Sequence, residues 1–164
     1  MLFAVSGLAL GGCTLIGGGG IDVIAVSDAQ AQSRINALRR QNGAGPVVAS
    51  RRLEIVASQQ ARLMAENDEL SHEVRAGMGL AGRIARAGYQ GMSGENISAG
   101  YDTLDRALAG WMASPGHRRN MLEPRFTEFG IAAARVGDGR ASRYGTYWAL
   151  VLGAPVSAIN AGQA

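Results

Sequence analysis

Lysine is missing from this sequence: all sixteen basic residues are arginine, set against thirteen acids for a net charge of +3. The arginines are dispersed and interleaved with acids, and only 5% of residues are aromatic. That pattern lacks the basic stripe and stacking platforms a nucleic acid needs, so no nucleic-acid partner is expected and the arginines read as an ordinary solvated surface. Cysteine occurs once, at Cys13, which excludes an internal disulfide and leaves packing to hold the fold. Although 47% of residues are hydrophobic, no run approaches the roughly 20 apolar residues of a membrane-spanning helix. Any membrane link is therefore expected at the terminus. GxSxG, HExxH, a phosphate-cradling glycine loop and a cysteine nucleophile within the domain are also missing, which removes the common enzyme signatures.

What is present begins with that terminus. Leu2 to Leu10 is a short apolar segment, followed by Leu10-Gly11-Gly12-Cys13. Small residues directly before a cysteine resemble a bacterial lipobox, in which Cys13 is lipidated and becomes the mature N-terminus. Met1 to Gly12 lacks the arginine or lysine that normally opens an export signal. The alternative is a hydrophobic tail with an incidental cysteine. Residues 1–12 are read as a lipoprotein-type signal, and 13–27, with the run Gly17 to Gly20, as a flexible tether. One domain over 28–157 and a tail over 158–164 complete the expected organisation.

Within the domain, Asp28 is expected to cap a helix to about Gln41, with Ala31, Ile35 and Leu38 on one face. Ser50 opens a second, whose stripe of Leu53, Val56, Ala57, Ala61, Met64 and Ala65 has helical spacing and ends near Asp68. A shorter helical piece covers Leu80 to Ala87. Gly94 to Gly100 reads as a strand or extended turn. Asp102 is expected to cap a third helix with Leu104, Ala107, Leu108, Trp111 and Met112 in phase, placing Trp111 in the core. Ser114-Pro115 looks like a fresh cap opening one or two turns that carry His117. Phe129 to Val136 and Gly145 to Leu152 are expected to form a hairpin. One core is the working assumption.

Only two histidines occur, His72 and His117, and both fall at element boundaries, with Glu95 in the glycine-flanked segment between them. Two imidazoles and a carboxylate are a sensible zinc set with a fourth position open, yet spacings of 23 and 22 residues match no compact metal motif. Structural roles compete with this reading. His72 can cap carbonyls at a helix end, Glu95 can accept backbone hydrogen bonds in a turn, and His117 can pack against Trp111 or Trp148.

The ordered set Asn36 and Arg39, Leu70-Ser71-His72, Gly94-Glu95-Asn96-Ile97, Trp111-Met112-Ala113-Ser114-Pro115-Gly116-His117-Arg118-Arg119-Asn120-Met121, Phe126, Gly130 and Tyr147-Trp148 resembles a bacterial-type CAP domain. This superfamily, also called SCP/TAPS, includes cysteine-rich secretory proteins, antigen 5 and pathogenesis-related 1 proteins. The resemblance covers about residues 31–155. It implies an α+β fold, a three-layer α-β-α sandwich around a small antiparallel sheet with a surface cleft. In many members two histidines and two glutamates there can bind a divalent metal such as zinc. His72, Glu95 and His117 match three of the four, whereas the position of the second glutamate holds Ser114. A neutral hydroxyl weakens both charge neutralisation of a metal and any general-base role.

Three functions follow as expectations. The first is an exported, non-catalytic module of a bacterial cell envelope, held to the membrane through an acyl anchor on Cys13 or else secreted. It would engage a lipid, glycan or envelope protein through the cleft. The second is a hydrolase in which His72 and His117 hold zinc while Glu95 is ligand, acid or base. The third is a purely structural cluster.

Overall fold

The computed structural model describes residues 20–161. Residues 1–19, which include the expected signal, Cys13 and most of the glycine run, lie outside the described residues, as do 162–164.

The element order is β1 (Ile21–Ile24), α1 (Asp28–Gln41), β2 (Val48–Ala49), α2 (Arg51–Asn67), α3 (Leu80–Arg86), β3 (Gly91–Ala99), α4 (Leu104–Ala113), α5 (Pro115–Leu122), β4 (Glu128–Val136), β5 (Thr146–Pro155) and α6 (Val156–Ala161). The sheet runs β1-β4-β5-β3 with antiparallel neighbours, and the two residues of β2 pair in parallel with β4. The expected hairpin is β4 and β5. Both are almost wholly buried, because helices cover both faces.

Strand alternation splits the interior in two. Phe129, Ile131 and Ala133 of β4 with Trp148, Leu150 and Leu152 of β5 face α1, α4 and α5, where Ile35, Leu108, Trp111 and Met121 complete one cluster. The intervening Ala132, Ala134, Tyr147, Ala149 and Val151 face α2, whose stripe of Leu53, Val56, Ala57, Ala61, Met64 and Ala65 is buried as its spacing predicts. The single core expected from the sequence is therefore two cores with the sheet between them. Each large aliphatic residue so buried contributes roughly 1.5–3 kcal/mol relative to exposure.

The α2 layer lies unusually close to the sheet. A Cβ on Gly130 would stand 2.0 Å from the backbone nitrogen of Glu54, so only a glycine lets the first turn of α2 sit on β4.

Several local expectations are corrected. Ile21 to Ile24 is a strand and not tether: it pairs with Ala133 to Val136, with Ile21 and Ile24 packed on opposite cores. The fold thus starts before Asp28. After Pro155 the chain turns into α6, and Ile159 packs against the α1/α4/α5 cluster, so residues 158–161 are not a loose tail. The caps of α1 and α4 are Ser27 and Thr103, whose side chains accept from Gln30 and Arg106, each one residue off the aspartate or one beyond it. Ser50 and Ser114 hold the predicted cap positions without a side-chain cap bond. Two arginines, Arg39 and Arg83, are wholly buried against the expectation of a solvated set.

Candidate functional site

β3 is an edge strand, and adjacent residues in it serve opposite layers. Asn96 points to α5: its amide donates to the His117 carbonyl at 3.0 Å, and Asn120 donates to its Oδ1 at 3.0 Å and to the Glu95 carbonyl at 3.2 Å. Gly94 leaves room for this contact, since a Cβ there would meet Asn120 at 3.1 Å. Glu95 points the other way, towards α2, α3 and the segment between them.

That segment carries His72. Gln60, buried in the α2 stripe, donates to the Ser71 carbonyl at 2.5 Å. The next residue, His72, places Nδ1 2.8 Å from Glu95 Oε1. A carboxylate only accepts, so Nδ1 carries the hydrogen, and Nε2 faces away from the contact, an acceptor when the ring is neutral and a donor when it is protonated. The His72 side chain is 57% exposed, whereas that of Glu95 is 2% exposed.

The second Glu95 oxygen is also taken. Arg83 Nη1 lies 2.8 Å from Oε2, with the guanidinium fully buried. The N–H bonds are not aimed at that oxygen, and Oε2 has no aligned donor, so the contact is ionic more than a directed hydrogen bond. Arg83 is fixed from behind by the carbonyls of Met78 at 2.9 Å and Val56 at 3.2 Å. Val56 and Gln60 are one turn apart on α2, so the contacts Gln60, Ser71-His72, Glu95, Arg83 and Val56 close into a ring.

His117 stands beside this ring and not in it. The first turn of α5, with Pro115 at its start, holds the half-buried imidazole. No hydrogen bond or ion pair among the described residues joins its side chain to His72 or Glu95. Its pKa is lowered, first by burial and then by the positive charge that His72 can carry, which places the two rings within electrostatic reach. The sequence therefore brings His72 and Glu95 into contact and leaves His117 as a near neighbour. Four surface concavities of about 240 to 550 Å³ are lined entirely by other residues. At the site itself, an exposed His72 ring lies over a buried Glu95 carboxylate.

A divalent metal fits this donor set poorly. Among the described residues no three His, Cys, Asp or Glu side chains gather closely enough to hold an ion. Both oxygens of the one matched carboxylate face cation or donor partners, and Ser114 contributes no charge. Sequence reasoning missed Arg83 and Gln60. Gln60 had a signal, being a polar residue in phase with the stripe of α2. Arg83 had none in so short a helix.

Residues 32–152 match the model of the cysteine-rich secretory protein family, CAP. An uncharacterized protein of Bacillus subtilis (strain 168), YkwD, is 41% identical over 46 residues, 28% of this chain and 18% of that protein. Among solved structures, an extracellular protein of Bacillus anthracis containing an SCP domain superposes with a TM-score of 0.64 at 25% identity, over 77% of this chain and 39% of that one. An outer surface protein of Borrelia burgdorferi does so at 0.69 and 20% identity, over 82% and 98%. A cysteine-rich secretory protein of Staphylococcus aureus gives 0.55 at 18% identity, over 77% and 38%. The chain thus spans well under half of the Bacillus relatives, and the fold is shared with all three structures.

Proposed function

The chain belongs to the cysteine-rich secretory protein (CAP) family, and from that premise we propose that it is an exported, non-catalytic binding or scaffold module of a cell envelope. Its ligand, a lipid, glycan or envelope protein, is contacted through the patch bearing His72 and His117. The observation that supports this reading is the state of Glu95. A carboxylate buried between Arg83 and His72 orients an imidazole, and is not free to act as a general base or to complete a metal shell. What reaches the surface is the His72 ring, held by Glu95 with its other nitrogen outward. Such a group exchanges a hydrogen bond with a partner at little ordering cost.

Export is supported by the extracellular and outer-surface character stated for similar proteins. Among the described residues no helix is long and apolar enough to cross a membrane. Attachment through an acylated Cys13 remains part of the proposal.

The test is co-sedimentation of the purified chain with isolated cell-wall glycan and, separately, with phospholipid vesicles, comparing wild type with His72→Ala and His117→Ala. Circular dichroism confirms that each variant is folded. Retention by one material, reduced at least about fivefold in a folded His72→Ala variant, is expected for a residue making a single polar contact. Unchanged retention in both variants, or none in the wild type, removes the patch from binding.

A further inference from the structure

We propose that Arg83 is the resident cation of this site: a built-in guanidinium that holds Glu95 in place of a divalent metal and keeps the His72, Glu95, His117 set from binding one. The proposal concerns the chemistry of the patch and stands whichever envelope component the patch takes.

The local charges decide the matter. Arg83 and Glu95 are both buried, at 0% and 2% side-chain exposure, and oppositely charged at 2.8 Å. Together they are neutral. With Ser114 where a second carboxylate would stand, an incoming divalent ion brings two positive charges to a neutral, poorly solvated site next to a fixed guanidinium. Arginine cannot escape by losing its proton, as a lysine or histidine can. Nor can it swing aside freely, because Nε and Nη1 are committed to the Met78 and Val56 carbonyls. Glu95 Oε1 meanwhile accepts from His72 Nδ1 at 2.8 Å. A metal reaching this carboxylate must displace one or both partners and also break the ring that places His72.

Removing the guanidinium reverses the preference. In Arg83→Met the buried Glu95 carboxylate loses its counter-charge, and a cation that binds both it and an imidazole supplies a new one. Zinc titrations against a chromophoric competing chelator, with thermal melts in zinc and in EDTA, read this directly on the full chain. Wild type is expected to show no zinc site that depends on Glu95. Arg83→Met is expected to bind zinc at least about tenfold more tightly than wild type, in the range by which groups around a metal site tune affinity. The gain is expected to vanish in Arg83→Met/Glu95→Gln. If Arg83→Met unfolds in EDTA, refolding on addition of zinc supports the proposal equally. Three results overturn it: wild-type zinc uptake that Glu95→Gln abolishes, a folded Arg83→Met that binds zinc no better than wild type, or an unfolded Arg83→Met that zinc does not restore.

Discussion

The Arg39 guanidinium donates to the carbonyl of Met121, 2.7 Å away and 82 positions later in the chain. It also donates to the carbonyls of Gly45, Glu123 and Phe126. One buried side chain in α1 thereby satisfies the exit of α5, the helix that carries His117. Replacing it by Met leaves those carbonyls without donors, and destabilisation of about 3 kcal/mol is expected, with Arg39→Lys recovering little because an ammonium lacks the planar fork. Urea denaturation measures it. A loss below about 1 kcal/mol in Arg39→Met would show that water takes over the role of the guanidinium.

Asp68 closes α2 in the left-handed conformation and ties the β4–β5 connection to it. Its carboxylate accepts from Ser142 at 2.5 Å, Tyr147 at 2.6 Å and the Arg143 amide at 2.8 Å. These bonds, that from Ser142 foremost, hold its pKa at about 2. A depressed carboxylate pKa gives stability that is full above the unfolded value near 4 and is lost as pH falls through the folded value. The stability difference between wild type and Asp68→Asn is therefore expected to be constant above about pH 5 and to shrink towards pH 2. Asn tolerates the same backbone, which isolates the charge. A difference that does not change with pH sinks the assignment.

Gly130→Ala places a methyl group against the backbone of Leu53 and Glu54, where no side-chain rotation relieves it. Displacing α2 is expected to cost at least about 2 kcal/mol, the scale of overpacked cores. Thermal melting checks this, and an unchanged Tm would mean that the helix and strand lie farther apart than described.

His117 is expected to titrate below 6.5 by NMR, since burial and then the His72 charge disfavour its imidazolium. His72→Ala removes the second cause only, so the midpoint should move part of the way back up. The unfolded chain then binds more protons than the folded one between the two pKa values, and His117's contribution to stability rises with pH through that window. A midpoint above 6.5 contradicts the placement.

The elements legible in the sequence are those whose patterns are local. The α2 stripe, the Ser114-Pro115 entry to α5 and the two hydrophobic strands of the hairpin announce themselves over a few residues. β1 does not: Ile21 to Ile24 is too short to differ from a tether until β4 offers it a partner. Arg39 shared the phase of Ala31 and Ile35 and was legible in principle. Arg83 was not, because nothing in a single sequence separates a buried guanidinium from the solvated arginines around it. The contact of His72 with Glu95 followed from family motifs; the reason Glu95 is held there did not.

Glu95 and Asn96 are neighbours, yet one hangs the His72 segment on the sheet and the other hangs α5. Two sides of the molecule are thus hooked to a single dipeptide, and the hooks differ in kind, one ionic and one amide. Deleting or inserting one residue just before it would present the amide to Arg83 and the carboxylate to Asn120, unhooking both sides at once. Loops elsewhere can lengthen without that consequence, whereas the length of β3 just before this dipeptide is set by both layers at once.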